Sequence, residues 1–117
     1  MRMALGVAAA ALAWGTAAWA APQDFVLVNQ TGYRVMEVYV SPTTVDDWEE
    51  DVLGKDTLPN NDRVRINFDR NEDRCRYDIK LVDEDGDEAI WTDINLCEVS
   101  TVTARYNRQG QPIADLD

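Results

Sequence analysis

Three aspartates stand at alternate positions in "LVDEDGDEAIW", residues 81–91: Asp83, Asp85 and Asp87. Carboxylates at this spacing supply the first three ligands of an EF-hand calcium loop. The rest of that loop is missing. Its sixth and twelfth positions need Gly and Glu, and here they are Glu88 and Ile94. What remains for chemistry is a looser calcium site, of the kind that acidic loops share at one end of a β-sandwich. Asp46, Asp47 or Asp51 would join it from an acidic segment upstream. The plainer reading is a solvated hairpin tip, because Asp85-Gly86 is a preferred two-residue turn.

Other reactive constellations are lacking. The chain has no His, which removes Ser-His-Asp triads and His-ligated zinc. Ser41 and Ser100 are its serines, and neither sits in a Gly-x-Ser-x-Gly elbow. No Gly-rich phosphate loop occurs. Two carboxylates could do acid–base work, but with 22 acids in the chain a nearby pair arises by chance. The expectation is a protein that is not an enzyme and carries no cofactor beyond a possible calcium ion.

Charge and leader bound the class further. Eleven basic residues against 22 acidic give a net charge of −11. Such a field repels nucleic acid and anionic membrane surfaces, and favours cations or a basic partner. Residues 1–20 open with Arg2, continue through "ALGVAAAALAW" and end in Ala18-Trp19-Ala20. This pattern marks a secretory signal peptide cut after Ala20. Its apolar run is too short to span a bilayer, so no stable membrane insertion is expected after cleavage. The expected location is the periplasm or the medium. In that oxidising setting Cys75 and Cys97 should form one disulfide, contributing about 3 kcal/mol by closing its loop.

The elements that must position these residues are almost all strands. "FVLVN" is a continuous apolar run, and "RVMEVYV" alternates with Met36, Val38 and Val40 on one face before Pro42. "RVRINF" sends Val64, Ile66 and Phe68 inward. "CRYDIKLV" aligns Cys75, Tyr77, Ile79 and Leu81, and "EVSTVTARY" offers Val102, Ala104 and Tyr106. Period-2 runs split by turn residues predict an all-β fold. The default is a single antiparallel β-sandwich of about seven strands, Ig-like or transthyretin-like, over residues 21–106. Residues 107–117 form a tail, either loose or a short edge hairpin.

The run "CRYDIKLV" and the one after it pair through the acidic turn. A two-residue loop sets Leu81 opposite Ile90, Ile79 opposite Thr92 and Tyr77 opposite Ile94, with Trp91 beside Lys80 on the other face. Cys75 then faces Leu96, one short of Cys97, and a bulge or a three-residue loop centred on Gly86 would level the cysteines. Both arrangements stay open. Asp78 would face Asp93, a like-charge pair that needs exposure or bridging.

One segment breaks the strand pattern. In "SPTTVDDWEEDVLG", residues 41–54, hydroxyls precede acids, Val45, Trp48, Val52 and Leu53 fall at helical spacing, and Gly54 follows. These signals predict a short helix whose Trp48 plugs against the sandwich. The functional alternative makes Trp48, Glu49, Glu50 and Asp51 a partner-binding surface.

Taken together, "NQTGY", "VYVSP", "WEEDVLG", "CRYDIKLVDEDG" and "INLCEVSTV" resemble a family of small exported bacterial proteins, over about residues 25–106. The resemblance implies a single secreted β domain with a structural disulfide, and it carries no catalytic residue across. Chains of this kind sometimes bear an argininosuccinate lyase label. Such lyases are much longer helical tetramers with a Ser-containing loop, and nothing in this sequence matches them. The resulting expectation is an exported binding or accessory module, monomeric or weakly oligomeric, for an unknown protein or envelope component. A calcium-binding sandwich is the alternative.

Overall fold

The computed structural model describes residues 21–117. The expected signal peptide lies outside the described residues. Seven strands follow in order: β1 (Phe25–Gln30), β2 (Val35–Pro42), β3 (Arg63–Ile66), β4 (Arg76–Asp83), β5 (Glu88–Asn95), β6 (Thr101–Tyr106) and β7 (Pro112–Leu116). They form a sheet of order β3-β1-β6-β7 and a second of order β2-β4-β5. This is an all-β sandwich, as the alternating runs predict. The sheets are not wholly antiparallel, because β1 and β6 run parallel, with Val26 level with Thr101 and Gln30 with Arg105.

The core forms where the inward positions of the two sheets meet. Phe25 and Leu27 from β1, and Val102 and Ala104 from β6, pack against Val38, Tyr77, Ile79, Leu81 and Trp91 from the other sheet. Phe68 packs on Tyr77 with ring centroids 5.0 Å apart. A bulge between Val35 and Glu37 turns Val35 into the core and leaves Met36 exposed, against the plain alternation expected there.

The β4–β5 hairpin takes neither register foreseen: it is shifted by one residue in the direction opposite to the one that would level the cysteines. Leu81 pairs with Ala89, Lys80 with Ile90 and Ile79 with Trp91, so Trp91 is buried and Ile90 is exposed. The loop is three residues, 84–86, with Gly86 at φ 82° in the left-handed region that the last loop position requires. An extra residue on β5 then restores Tyr77 opposite Ile94. The bulge resolves the expected like-charge clash. Asp78 Oδ1 accepts the N–H of Asp93 at 2.9 Å and the Thr43 hydroxyl at 2.8 Å, while the Asp93 carboxylate pairs with Arg76 at 3.2 Å.

Cys75 and Cys97 are bonded, with Cα atoms 5.2 Å apart. Their backbones are not level: Leu96 N–H bonds the Cys75 carbonyl at 2.8 Å, and a turn held by Asn95 brings Cys97 back to its partner. A stable disulfide marks a protein outside the reducing cytoplasm. No helix among the described residues is long and apolar enough to cross a membrane.

Residues 41–54 are not helical, and this overturns the short helix. Only a turn around Pro42–Val45 and another near Gly54 interrupt an extended path. The cause is the neighbouring strand. β2 is a sheet edge, so half of its backbone groups face outward and need partners. Val52 N–H bonds the Val38 carbonyl at 2.8 Å, Asp51 Oδ1 accepts the Val38 N–H at 2.8 Å, and Val35 and Leu58 exchange bonds of 2.9 and 2.8 Å. A two-turn helix is marginal alone, and these edge bonds outweigh it. The segment becomes a strap along β2 that carries Leu53 and Leu58 into the core. Pro42 ends the strand as expected and is its last residue, a position an edge permits.

The residues after Tyr106 form a short edge hairpin. Its turn is closed by Asn107 N–H to the Gln111 carbonyl at 3.0 Å, and Arg105 grips Asp115 across the pair at 2.7 Å.

Candidate functional site

The outer face of the β2-β4-β5 sheet is built by the residues that alternate with the core positions. Tyr39 pairs with Lys80, and Lys80 with Ile90, so these three side chains form one row across the sheet. The next row is Glu37, Val82 and Glu88. The strap then brings Trp48 onto the first row. Ser41 Oγ donates to the Asp47 carbonyl at 2.7 Å, which fixes the strap just before the tryptophan.

Trp48 therefore neither plugs the core nor stands free. Its ring lies 6.5 Å from that of Tyr39, inclined at 60°. Lys80 Nζ sits 4.7 Å from the Tyr39 ring centroid and 5.2 Å from that of Trp48. An ammonium over two rings is held by their quadrupoles, at about 0.5–1 kcal/mol per exposed contact. The Tyr39 hydroxyl donates to the Glu37 carboxylate. That bond, followed by burial and the Glu37 charge, pushes the Tyr39 phenol up to about 12. The result is an ordered aromatic platform on a face that could have been wholly solvated, continued by Ile90 at 45% exposure. Glu49 and Glu50 are exposed beside it.

Of the four residues expected at a partner surface, Trp48 joins this platform, and Glu49 and Glu50 follow it on the strap, exposed. Asp51 does not join it. Its Oδ1 is taken by the N–H groups of Val38 and Leu53, at 2.8 and 3.0 Å. Tyr39, Lys80 and Ile90 were not foreseen. The alternation of β2 placed Tyr39 on the outer face, but nothing local linked it to Trp48.

The six carboxylates considered for calcium do not converge. Asp83, Asp85 and Asp87 come together, with one oxygen from each lying within 4.8 Å of the others. Asp47 is beside Ser41, whose β4 partner is Asp78. Asp78 lies five residues along the strand from Asp83, about 17 Å at the usual strand rise. Exposed Asp46 adjoins Asp47 on the strap, and Asp51 is committed to β2.

At the tip, Asp83 is 9% exposed. Its Oδ1 accepts the N–H groups of Asp85 and Asp87 at 2.9 and 3.0 Å. The carboxylate thus staples the three-residue loop, as Asp side chains do in turns. Asp83 and Asp87, with Tyr33 and Tyr106, also wall a cleft of about 490 Å³. The two rings meet edge to face at 6.4 Å. Burial raises the Tyr106 phenol above its ordinary value, and Asp83 and Asp87 reinforce the rise.

Two carboxylates have clearly displaced titrations, and both go down. Arg74 holds Glu72 at about 2. Arg105 lowers Asp115. Both stay ionised at neutral pH, the opposite of what a general acid requires.

No family model matches the chain, and no curated protein matches it. Among solved structures, the NMR structure of a protein from Eubacterium rectale is similar, with a TM-score of 0.57 over 80% of this chain and 85% of that one, at 14% identity. A likeness at that identity concerns the fold alone.

Proposed function

We propose that the protein is an exported, non-enzymatic binding module, and that its docking surface is the outer face of the β2-β4-β5 sheet. The observation that carries this reading is the platform of Tyr39 and Trp48 arranged around Lys80. Rigid aromatic rings present large contact area at little cost in side-chain entropy, and Trp and Tyr are enriched where interfaces concentrate their energy. Ile90 extends the apolar centre, while Glu37, Glu49, Glu50 and Glu88 supply an acidic rim. The complementary partner is a protein or envelope component with an apolar anchor surrounded by basic groups. The leader sequence and the disulfide support export to an oxidising compartment.

A photo-crosslinking residue at Ile90 tests this in cells of the source organism, with the same residue at Thr103 of the other sheet as control. A discrete adduct from the Ile90 site, lost in Trp48→Ala and absent from the control, is the expected result. Equal labelling at both sites, or an adduct indifferent to Trp48→Ala in a protein that melts normally, would remove the platform from the account.

A further inference from the structure

A second cleft lies where the strap passes from the β2 edge to β3, on the flank of the sandwich. Its volume is about 580 Å³, and Arg34, Lys55 and Arg63 line it. This clustering runs against the composition, which has twice as many acids as bases. Four other arginines, Arg65, Arg74, Arg76 and Arg105, each hold a carboxylate. None of the three cleft cations belongs to an ion pair among the described residues. Asp56 and Asp62 also border the cleft. Asp62 accepts the backbone N–H of Arg63 at 2.9 Å, which occupies one oxygen without engaging a guanidinium.

The frame of the cleft is fixed. Leu58 exchanges backbone bonds with Val35 and accepts Asn29 Nδ2 at 2.9 Å, and Asn29 is fully buried. Arg34 Nη1 donates to Thr57 Oγ1 at 3.0 Å, which lays that guanidinium along the strap with its other donors free for a ligand. Lys55 follows Gly54, whose φ of 63° turns the strap at this point. Arg63 opens β3 and is exposed. Below the charges, exposed Val52 and half-buried Pro59 offer apolar surface, backed by the core residues Leu53 and Leu58.

We infer that this cleft binds a small amphiphilic anion, its oxyanion group held by Arg34, Lys55 and Arg63 and its apolar body laid on Val52 and Pro59. Guanidinium forks match carboxylate and phosphate oxygens in pairs, and an ammonium adds a mobile point charge. A cavity of this size with a few convergent polar groups suits a small molecule. On a molecule whose overall field repels anions, the local gathering of cations is what lets one approach. This site stands apart from the Trp48 platform and does not depend on it.

The test is titration of isotopically labelled protein, followed by amide shifts of residues 52–64, with octanoate, octyl phosphate, inorganic phosphate and octylamine. Saturable shifts are expected with octanoate, octyl phosphate or both, at least about tenfold tighter than inorganic phosphate, since two or more buried methylenes suffice for that factor. Octylamine should give none. The triple variant Arg34→Gln/Lys55→Gln/Arg63→Gln should weaken binding at least about tenfold while keeping its amide dispersion, and Lys55→Gln alone, fully on the surface, should weaken it less. Absence of saturable binding by either octyl anion overturns the site. So does equal binding of octylamine, an inorganic phosphate affinity equal to that of octyl phosphate, or unchanged affinity in both variants.

Discussion

Asp51 Oδ1 accepts the backbone N–H of Val38 across the free edge of β2 at 2.8 Å, and that of Leu53 at 3.0 Å. One carboxylate thus ties the strap to the sheet and covers a donor that would otherwise face water or another chain. Asp51→Ala leaves both donors without their acceptor and is expected to cost about 1–3 kcal/mol in urea unfolding. Asp51→Asn keeps an acceptor and should cost less. Sedimentation at rising concentration should show the alanine variant self-associating, because its β2 edge is partly uncovered. Wild-type stability in Asp51→Ala would show that the strap is held by its other bonds alone.

The disulfide joins residues separated by 22 positions, across the open end of the β4–β5 hairpin. Replacing Cys75 and Cys97 together by Ala is expected to lower stability by about 3 kcal/mol through the larger freedom of the unfolded chain. Reductant on the unmodified protein should produce a similar loss, measured as a lower urea midpoint. A loss far below this value would mean that the turn around Leu96 and Asn95 closes the hairpin unaided.

The acidic tip separates the two readings of residues 83–87. Asp83→Ala removes the acceptor for the N–H groups of Asp85 and Asp87 and should cost about 1–2 kcal/mol. Calcium and magnesium at equal ionic strength are expected to raise Tm by the same small amount, through screening of the net charge. A rise specific to calcium, abolished by Asp85→Asn and Asp87→Asn, would establish the calcium site. At a hundredfold excess over its Kd such a site adds about 2.7 kcal/mol.

Stability should change at both ends of the pH scale. Arg74 depresses Glu72 from an ordinary 4.5 to about 2. A depressed carboxylate stabilises the fold above its unfolded pKa, and that stabilisation is lost as pH falls from about 4.5 toward 2. Arg74→Gln should flatten this part of the acid limb. Burial first, and Glu72 next, push the Tyr77 phenol up to about 12. The folded state retains that proton longer than the unfolded chain, so stability is intact below about pH 10 and falls between 10 and 12. Tyr77 Oη is buried with no hydrogen-bond partner. Tyr77→Phe should therefore hold or raise stability at pH 7, by up to about 1 kcal/mol, and remove its part of the alkaline loss.

Most strands were legible because they carry their own two-residue period. Val64 and Ile66, or Tyr77, Ile79 and Leu81, announce their inward face without knowledge of any partner. The hairpin register was not legible. Asp85-Gly86 suits loops of two or three residues, and Ile90 and Trp91 are adjacent large apolar residues of which only one can turn inward. The contact that decides between them is the pair of bonds from the Asp85 and Asp87 N–H groups to the Asp83 carboxylate, visible only once the loop is closed. Residues 41–54 misled for a related reason. Hydroxyl, acid and glycine signals describe a chain with no neighbour, whereas the demand that won came from the unpaired edge of β2. The platform shared that obscurity, since Trp48 meets the Tyr39–Lys80 pair only through the strap's path. Of the acids, the grouping of Asp83, Asp85 and Asp87 follows from their spacing, while the commitment of Asp51 to Val38 does not.

The parallel pairing of β1 with β6 sets an order of events during synthesis. Val26 finds its β6 neighbour only when Thr101 has been made. Until then the first strand can recruit β3, and the pair waits with one hydrogen-bonding edge bare. Contacts so distant along the chain slow closure, so the larger sheet is completed only after all three strands of the smaller one have been made.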